Sequence, residues 1–233
     1  MTKPANITGR TRQPRTVRES DIIAAAYAIF SDKGYEKARM NEIAKKSGVA
    51  EGTVYKYFSN KQDLLARVIS VFYTKLISST EASLTGINGF ENQLRVIITR
   101  HIQTFFEDSG LCRLLLQEVR PLASYPHSEV HQLTNDYSDI FLNLIESAMK
   151  QGEIRDGISP QTIRDMVFGC LEHAGWNVLS SKNATINLAQ LTNEIITITL
   201  NGLIPVQESH NNFERNLIRF DSLVNRLENT TSL

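Results

Sequence analysis

The sequence is poor in the features that mark several large classes of protein. It has two cysteines and one tryptophan in 233 residues. Cys112 and Cys170 lie far apart and lack the CxxC spacing of zinc and redox sites, so we predict reduced, buried side chains in a cytoplasmic protein. No apolar run approaches the roughly 20 residues that cross a bilayer, and no apolar segment follows the first charges as in a signal peptide. We therefore expect no membrane partner.

Sequence motifs of catalysis and of phosphate binding are also missing. The chain has no GxxxxGK loop, no GxGxxG fingerprint and no GxSxG nucleophile elbow. His127 and His131 are spaced four apart on a predicted helix, a geometry that can hold a metal, but no clear third ligand lies nearby in sequence. We interpret them as surface histidines. The sequence thus predicts a protein that is not an enzyme and has no metal and no cofactor.

Charge is distributed unevenly although it sums to zero. The chain has 25 basic and 25 acidic residues, but residues 1–67 contain 13 Lys and Arg against 7 Asp and Glu. The remaining residues carry the compensating negative charge. This division is typical of an anion-binding domain joined to a body that does not bind the anion.

The basic part contains three short helical patterns joined by tight turns over residues 17–65. In the first, apolar residues recur at helical spacing between Ile22 and Phe30, Ser20 stands at a possible N-cap, and Gly34 follows as a helix stop. A second helix is predicted over 40–46, with a corner at Gly48. A third is predicted over 51–58, and a capping box over 59–62 starts a fourth. This layout predicts a helix-turn-helix that binds DNA.

The third helix carries the predicted DNA contacts. Val54 and Phe58 face inward, which leaves Thr53, Tyr55, Lys56 and Tyr57 on the outer sides, where they can reach phosphates and base edges. Lys61, at the start of the fourth helix, is placed to contact a phosphate. The alternative is a solvated surface helix with two exposed tyrosines, which would need neither this turn nor this cluster.

The stretch GYEKARMNEIAKKSGVAEGTVYKYFSNKQDLL resembles the DNA-binding domain of the TetR family of bacterial transcriptional regulators. The resemblance implies an all-α fold and a homodimer that binds a palindromic operator in double-stranded DNA. It places Thr53, Tyr57 and Lys61 at phosphate-contacting positions, and Glu51, Gly52, Tyr55 and Lys56 near bases. The chain departs from the family at Ala38, where threonine is common, and at Glu51, whose carboxylate can accept from a cytosine amino group.

Residues 1–16 are predicted to be a flexible basic arm because they offer almost no large apolar side chains to a core. Two interpretations remain open. The arm adds phosphate or minor-groove contacts through Arg10, Arg12 and Arg15, or it serves only as a solubilising leader.

Residues 66–204 are predicted to be one helical body, with helices near 61–83, 90–108, 111–120, 127–151, 160–181 and 188–203. Aromatic and polar residues at helical spacing indicate a cavity for a small hydrophobic ligand, although the same stripe is typical of a helical core. The candidate cavity residues are Phe72, Phe105, Phe106, Leu115, Tyr137, Phe141, Phe168, Glu172 and Trp176.

The TetR resemblance implies that the last two body helices pair with those of a second copy. The apolar residues available for that contact are Ile163, Val167, Cys170, Leu171, Ala174, Leu191, Ile195 and Ile198. The segment from Gly152 to Leu179 is also similar to family members that sense acyl-CoA, which makes a fatty acyl-CoA the first ligand to consider. Repression with release by a ligand is the favoured mechanism, and an activator or architectural DNA-binding protein without a ligand is the alternative.

Residues 205–233 form an extension that the family does not explain. Large apolar residues recur from Phe213 to Leu227 at alternating spacings of four and three, which predicts an amphipathic helix over 211–228. We expect it to pack on the body or across a dimer; a frayed tail is the alternative.

Overall fold

The computed structural model describes residues 15–180 and 187–204. Within these ranges the protein is all-α and contains no strand, as the sequence predicts. The predicted arm before Arg15 and the predicted helix over 211–228 lie outside the described residues. The α-helices are α1 (Arg15–Lys37), α2 (Met40–Lys46), α3 (Glu51–Tyr57), α4 (Lys61–Leu84), α5 (Phe90–Glu107), α6 (Ser109–Leu114), α7 (Glu129–Lys150), α8 (Pro160–Ser180) and α9 (Leu188–Leu203).

Helices α1 to α3 form a compact unit that we call the head, and the inner face of α1 supplies most of its core. Ile22, Ala26 and Phe30 are almost completely buried. The expected N-cap at Ser20 is wrong, because α1 already begins at Arg15 and includes the last two residues of the predicted arm. Gly34 interrupts the helix at φ 76°, a conformation that glycine adopts without a steric cost, so the predicted stop is confirmed.

The turn between α2 and α3 fixes the direction of α3. Gly48 has φ 71°, and the backbone N–H groups of Ser47 and Val49 donate to carbonyls at the end of α2, at 2.9 and 3.0 Å. Val54 is completely buried and Phe58 nearly so. Burial of side chains of this size contributes about 1.5–3 kcal/mol each, which holds α3 against the head by one face.

Helix α4 begins at a reciprocal cap. Asn60 accepts from the backbone N–H of Asp63 at 2.8 Å, and the Asp63 carboxylate accepts from the backbone N–H of Ser59 at 2.8 Å. The predicted capping box is therefore present but lies one residue later than expected, with Asp63 in place of Gln62 as the partner. From this cap, α4 leaves the head and enters the body, which consists of α4 to α9.

The body has a second core, in which α5 packs against α7, α8 and α9. The predicted helices agree with the observed ones except near 111–120, where α6 passes into a single π-helical turn over Leu115–Val119. Helix α6 packs directly on α1. A Cβ atom at Gly110 would lie only 3.0 Å from the Cα atom of Ser31, so this contact between head and body requires glycine.

Candidate DNA interface and ligand cavities

Helix α3 presents most of its predicted contact residues to solvent. Glu51, Gly52, Tyr55 and Lys56 are exposed, whereas Thr53 and Tyr57 are half-buried. The Glu51 carboxylate lies in the first turn of α3, where the positive end of the helix dipole stabilises a negative charge. This position gives Glu51 a stabilising role in addition to the base contact that the sequence suggests. The two hydroxyl groups at Thr53 and Tyr57 flank the exposed surface.

The start of α1 lies beside the end of α3. The Arg15 guanidinium carbon is 5.6 Å from the centre of the Tyr57 ring, within the range of a cation–π interaction. Arg15 thereby adds a positive charge next to the predicted contact helix. Arg10 and Arg12, the other predicted arm contacts, lie outside the described residues.

The Lys61 side chain is engaged within the head. Its ammonium group donates to the carbonyl oxygens of Tyr35 at 2.9 Å and Ala38 at 3.3 Å, with a third, longer contact to Glu36. It also lies 4.3 Å from the centre of the Tyr35 ring. These contacts hold the corner between α1 and α2 in the chain without DNA. The phosphate contact of Lys61 stays a prediction.

Sequence reasoning missed three exposed cations on and beside α2: Arg39, Lys45 and Lys46. None of them forms an ion pair with a carboxylate in the part of the chain that the structure describes. The excess of basic residues in the N-terminal part already indicated extra anion-binding groups, but periodicity assigned α2 only a packing role.

A cavity of about 640 Å³ lies between the head and the body. Helix α1 contributes Ser20, Ile23, Ala24 and Tyr27 to its wall, and α4, α5 and α6 contribute the rest. The sequence indicated a cavity within the body, but not one that includes α1. An occupant of this space would contact α1 of the head directly.

Two polar contacts connect α1 to the body beside this large cavity. The Tyr27 hydroxyl donates to the Asp108 carboxylate at 2.7 Å, and this hydrogen bond is the main cause of a raised pKa of Tyr27. Arg67 on α4 lies between Glu19 of α1, at 3.7 Å, and Glu129 of α7, at 3.4 Å. Because these groups are partly exposed, each ion pair contributes little to stability.

A smaller cavity of about 70 Å³ adjoins the large one and shares Phe72, Leu76 and Thr104 with it. His101, which the sequence analysis did not single out, lies in its wall. Its ring stacks on Tyr137 at 5.7 Å, and its Nδ1 atom is 3.2 Å from the Tyr137 hydroxyl. Burial, together with the charge of Arg120, lowers the pKa of His101 to about 4. The imidazole is therefore neutral at physiological pH.

Six of the nine predicted cavity residues line the smaller cavity: Phe72, Phe105, Leu115, Tyr137, Phe168 and Glu172. Glu172 forms an ion pair there with Arg120 at 2.5 Å. The structure places the other three outside both of these cavities. Phe141 is completely buried in the second core, whereas Phe106 and Trp176 are more than a third exposed and line neither cavity.

The predicted dimer contacts divide into buried, half-buried and exposed residues. Ile163, Val167, Leu171 and Ile195 are buried in the core of their own chain, so they are not available to a second copy. Ala174 and Leu191 are half-buried against that core. Cys170 is exposed, which corrects its predicted burial, and Ile198 is 72% exposed. Met166, which the sequence analysis did not include, is 54% exposed on the same outward side of α8 as Cys170. Helical spacing identified the apolar helices but not which stripe turns outward.

The two histidines of the predicted pair and Cys112 differ in exposure. His131 lies edge-to-face against Tyr125 at 5.1 Å, and His127 is exposed. Cys112 is buried as predicted. No group of three or more potential metal ligands occurs in residues 15–180 and 187–204. None of the helices in these ranges combines the length and the apolar composition that a membrane crossing requires.

Comparison with known proteins matches nearly the whole described chain. Residues 22–68 match the family model of bacterial regulatory proteins of the tetR family, and residues 72–202 match that of the YsiA-like protein C-terminal region. The chain is 25% identical to the fatty acid metabolism regulator protein of Bacillus subtilis, over 78% of this chain and 93% of that protein.

Two further proteins are similar to this chain. The structure of the regulator FadR from Bacillus subtilis in complex with stearoyl-CoA aligns with a TM-score of 0.70 at 24% identity, over 78% of this chain and 98% of that one. The transcriptional activator FasR of Mycolicibacterium smegmatis is 28% identical over 58% of this chain and 61% of its own length.

Proposed function

The chain belongs to the TetR family of bacterial transcriptional regulators, and on that premise we propose that it is a repressor that a small hydrophobic ligand releases from DNA. It binds a palindromic operator as a homodimer, with α3 of each copy in the major groove. The exposed residues Glu51, Gly52, Tyr55 and Lys56 read bases, while Thr53 and Tyr57 contact phosphates. Arg15, with Arg10 and Arg12 of the basic arm, adds backbone contacts.

The observation that carries the ligand-responsive part is the position of the large cavity. Its wall is shared by α1 of the head and by α4, α5 and α6 of the body. A ligand that fills this space meets four side chains of α1, so it affects the orientation of α1 and hence of α3. A ligand regulates DNA binding only if it interacts differently with the two orientations, and this shared wall supplies the differential contact.

A homodimer is supported by the outward face of α8 and α9. Met166 and Cys170 on α8, and Ile198 on α9, are exposed apolar side chains. A single seven-residue recognition helix contacts few base pairs, so two copies that read half-sites about 34–36 Å apart give useful affinity and specificity.

The proposed ligand is a fatty acyl-CoA. The large cavity has a volume within the roughly 300–1,000 Å³ range of small-molecule sites, and its wall is mainly apolar. Two similar proteins support this choice: one is a fatty acid metabolism regulator, and one was solved in complex with stearoyl-CoA. A protein of this class is expected to act in the cytoplasm, where it meets both DNA and acyl-CoA, and it is not expected to be an enzyme.

The alternative is a DNA-binding activator or architectural protein without a ligand. The similarity to the activator FasR favours the activating form of this alternative. A transcription assay with the purified protein and RNA polymerase separates the two: a repressor lowers transcript yield from its operator and an activator raises it.

Selection of bound fragments from a random DNA pool tests the proposed DNA-binding mode. We expect an inverted repeat whose half-sites lie about one helical turn, or a multiple of it, apart. A Tyr57→Phe variant should bind all selected sequences more weakly, whereas Lys56→Ala should change which sequences are selected. Bound fragments without any common repeat would contradict the proposal.

A further inference from the structure

Two basic side chains and one hydroxyl group line the large cavity where α4 faces α5, and we call this part its positive end. Lys75 and Ser79 lie one turn apart on α4, and Arg100 faces them from α5. An Arg100 terminal nitrogen donates to the Ser79 hydroxyl at 3.2 Å, while its Nε atom is buried and has no hydrogen-bond partner among the residues that the structure describes. Neither Arg100 nor Lys75 forms an ion pair within the described ranges.

An unpaired guanidinium in an apolar wall needs a compensating charge. A buried donor without a partner costs about 1–3 kcal/mol, and more when the group is charged. The acidic groups of the cavity do not supply this charge. Glu107 and Asp108 follow Arg100 by two turns along α5, about 10–12 Å away by the helical rise, and Asp108 is already hydrogen-bonded by Tyr27.

Much of the remaining wall is apolar. Ile23, Val68, Val71, Phe72, Leu76 and Leu111 line the same cavity as the positive end. The cavity therefore offers a cationic receptor and an apolar surface next to each other, which is the pattern that an amphipathic anion matches. A guanidinium accepts carboxylate or phosphate oxygens through two parallel hydrogen bonds, which makes Arg100 better suited to this task than Lys75.

We propose that Arg100, assisted by Ser79 and Lys75, binds the negatively charged group of an amphipathic ligand whose apolar chain lies along Phe72 and Leu76 under α1. This inference rests on the proposed ligand-responsive function and names the part of the ligand that is recognised. The shared chemistry is an anion, which is the carboxylate of a free fatty acid or a phosphate of an acyl-CoA. The expected consequence is that uncharged chains of the same length bind weakly.

Equilibrium dialysis of the full chain without DNA tests the proposal. The probes are hexadecanoate, hexadecanoyl-CoA and the uncharged hexadecan-1-ol. Arg100→Gln should weaken binding of one or both anionic probes by about tenfold or more, as expected for loss of a charged hydrogen bond, and should leave the alcohol unchanged. The anionic probe that is weakened identifies the source of the charge.

The matched control is Arg95→Gln on the same helix. Arg95 is exposed and is paired with Glu91 at 2.8 Å, away from the cavity, so its loss should change no probe. Arg100→Lys should retain most of the preference for anions. If Arg100→Gln lowers the melting temperature, Lys75→Gln gives the same test at an exposed position, with a smaller selective loss for the anionic probes.

Three outcomes overturn the proposal. The first is that no anionic probe binds the wild-type chain, and the second is that Arg100→Gln and Lys75→Gln both bind the anions as tightly as the wild type does. The third is that the substitution weakens binding of the alcohol as much as it weakens binding of the anionic probes. Because dialysis contains no DNA, any of these outcomes is independent of operator binding. Failure to select an operator would instead contradict the proposed function and leave the anion site standing.

Discussion

The proposed functional groups lie on the outer surface of the head but in the interior of the body. In the head, Val54 and Phe58 hold α3 from within, and the residues that we assign to DNA lie outside this core. In the body, Phe72 and Tyr137 line interior space and belong to the same clusters of packed apolar residues. A surface substitution in the head can therefore change DNA binding without changing stability, whereas a substitution in the body usually changes both stability and function.

The largest test of this contrast compares two isoleucines on one helix. Ile195→Asp places a carboxylate in the second core and should cost about 4 kcal/mol or more of unfolding free energy. Ile198→Asp, three residues later and 72% exposed, should change the stability of a single chain by only about 0.5 kcal/mol but should separate the dimer.

Denaturant unfolding and sedimentation velocity measure the two effects separately. A fully dimeric Ile198→Asp variant would show that the interface lies elsewhere. Equal stability of the two variants would contradict the burial difference between Ile195 and Ile198.

The pH dependence of stability should arise from the body more than from the head. The pKa of His101 is about 4 in the folded chain and 6.5 for the free side chain. Because the unfolded chain takes up this proton first, stability is complete above about pH 6.5 and is lost as the pH falls toward 4, by up to about 3 kcal/mol. His101→Gln should remove most of this loss.

Denaturant titrations at pH 7 and pH 5 measure this contribution. His127→Gln is the control, since His127 is exposed. An identical pH dependence in wild type and His101→Gln would contradict the assigned environment of His101.

A smaller effect separates two lysines within the head. Lys61→Met removes the donor to the Tyr35 and Ala38 carbonyls and should lower the unfolding free energy by about 1–3 kcal/mol. Lys56→Ala, at an exposed position, should leave stability unchanged. If Lys56 contacts a phosphate as well as a base, its loss also lowers the slope of log affinity against log salt by about 0.9.

Thermal unfolding and operator titrations at several salt concentrations distinguish these roles. If Lys61→Met has wild-type stability and a reduced salt slope, the result would support the phosphate contact that the sequence predicts for Lys61 rather than a stabilising role.

The head was predictable because its signals are local. Its main signals lie within a short stretch of chain: the turns at Gly34 and Gly48 and the buried pair Val54 and Phe58. Each of them can be recognised from its neighbours in sequence. The hydrogen bonds of Lys61 within the head could not be predicted, because the carbonyls that it contacts lie 23 to 26 residues earlier in the sequence. Such a contact exists only once the corner between α1 and α2 has formed.

The helices of the body could be predicted from the sequence, but its cavities and its exposed apolar residues could not. Ile195 and Ile198 have the same side chain on the same helix, and only the packing of one face of α9 against α5 separates the buried residue from the exposed one. The large cavity was missed because α1 supplies one wall from a distant part of the sequence. His101 stands within the apolar run of α5 and has no local signature, since its neighbours Tyr137 and Phe168 come from α7 and α8.

The most direct test of the account is operator binding by the purified chain with and without hexadecanoyl-CoA. Fluorescence anisotropy on the DNA fragment selected by the protein gives both affinities at one salt concentration. The account predicts that the ligand weakens operator binding of the wild type by about fivefold or more, the scale of a typical allosteric coupling, and that Arg100→Gln requires more ligand for the same release. Unchanged operator affinity at a ligand concentration that saturates the cavity would contradict it.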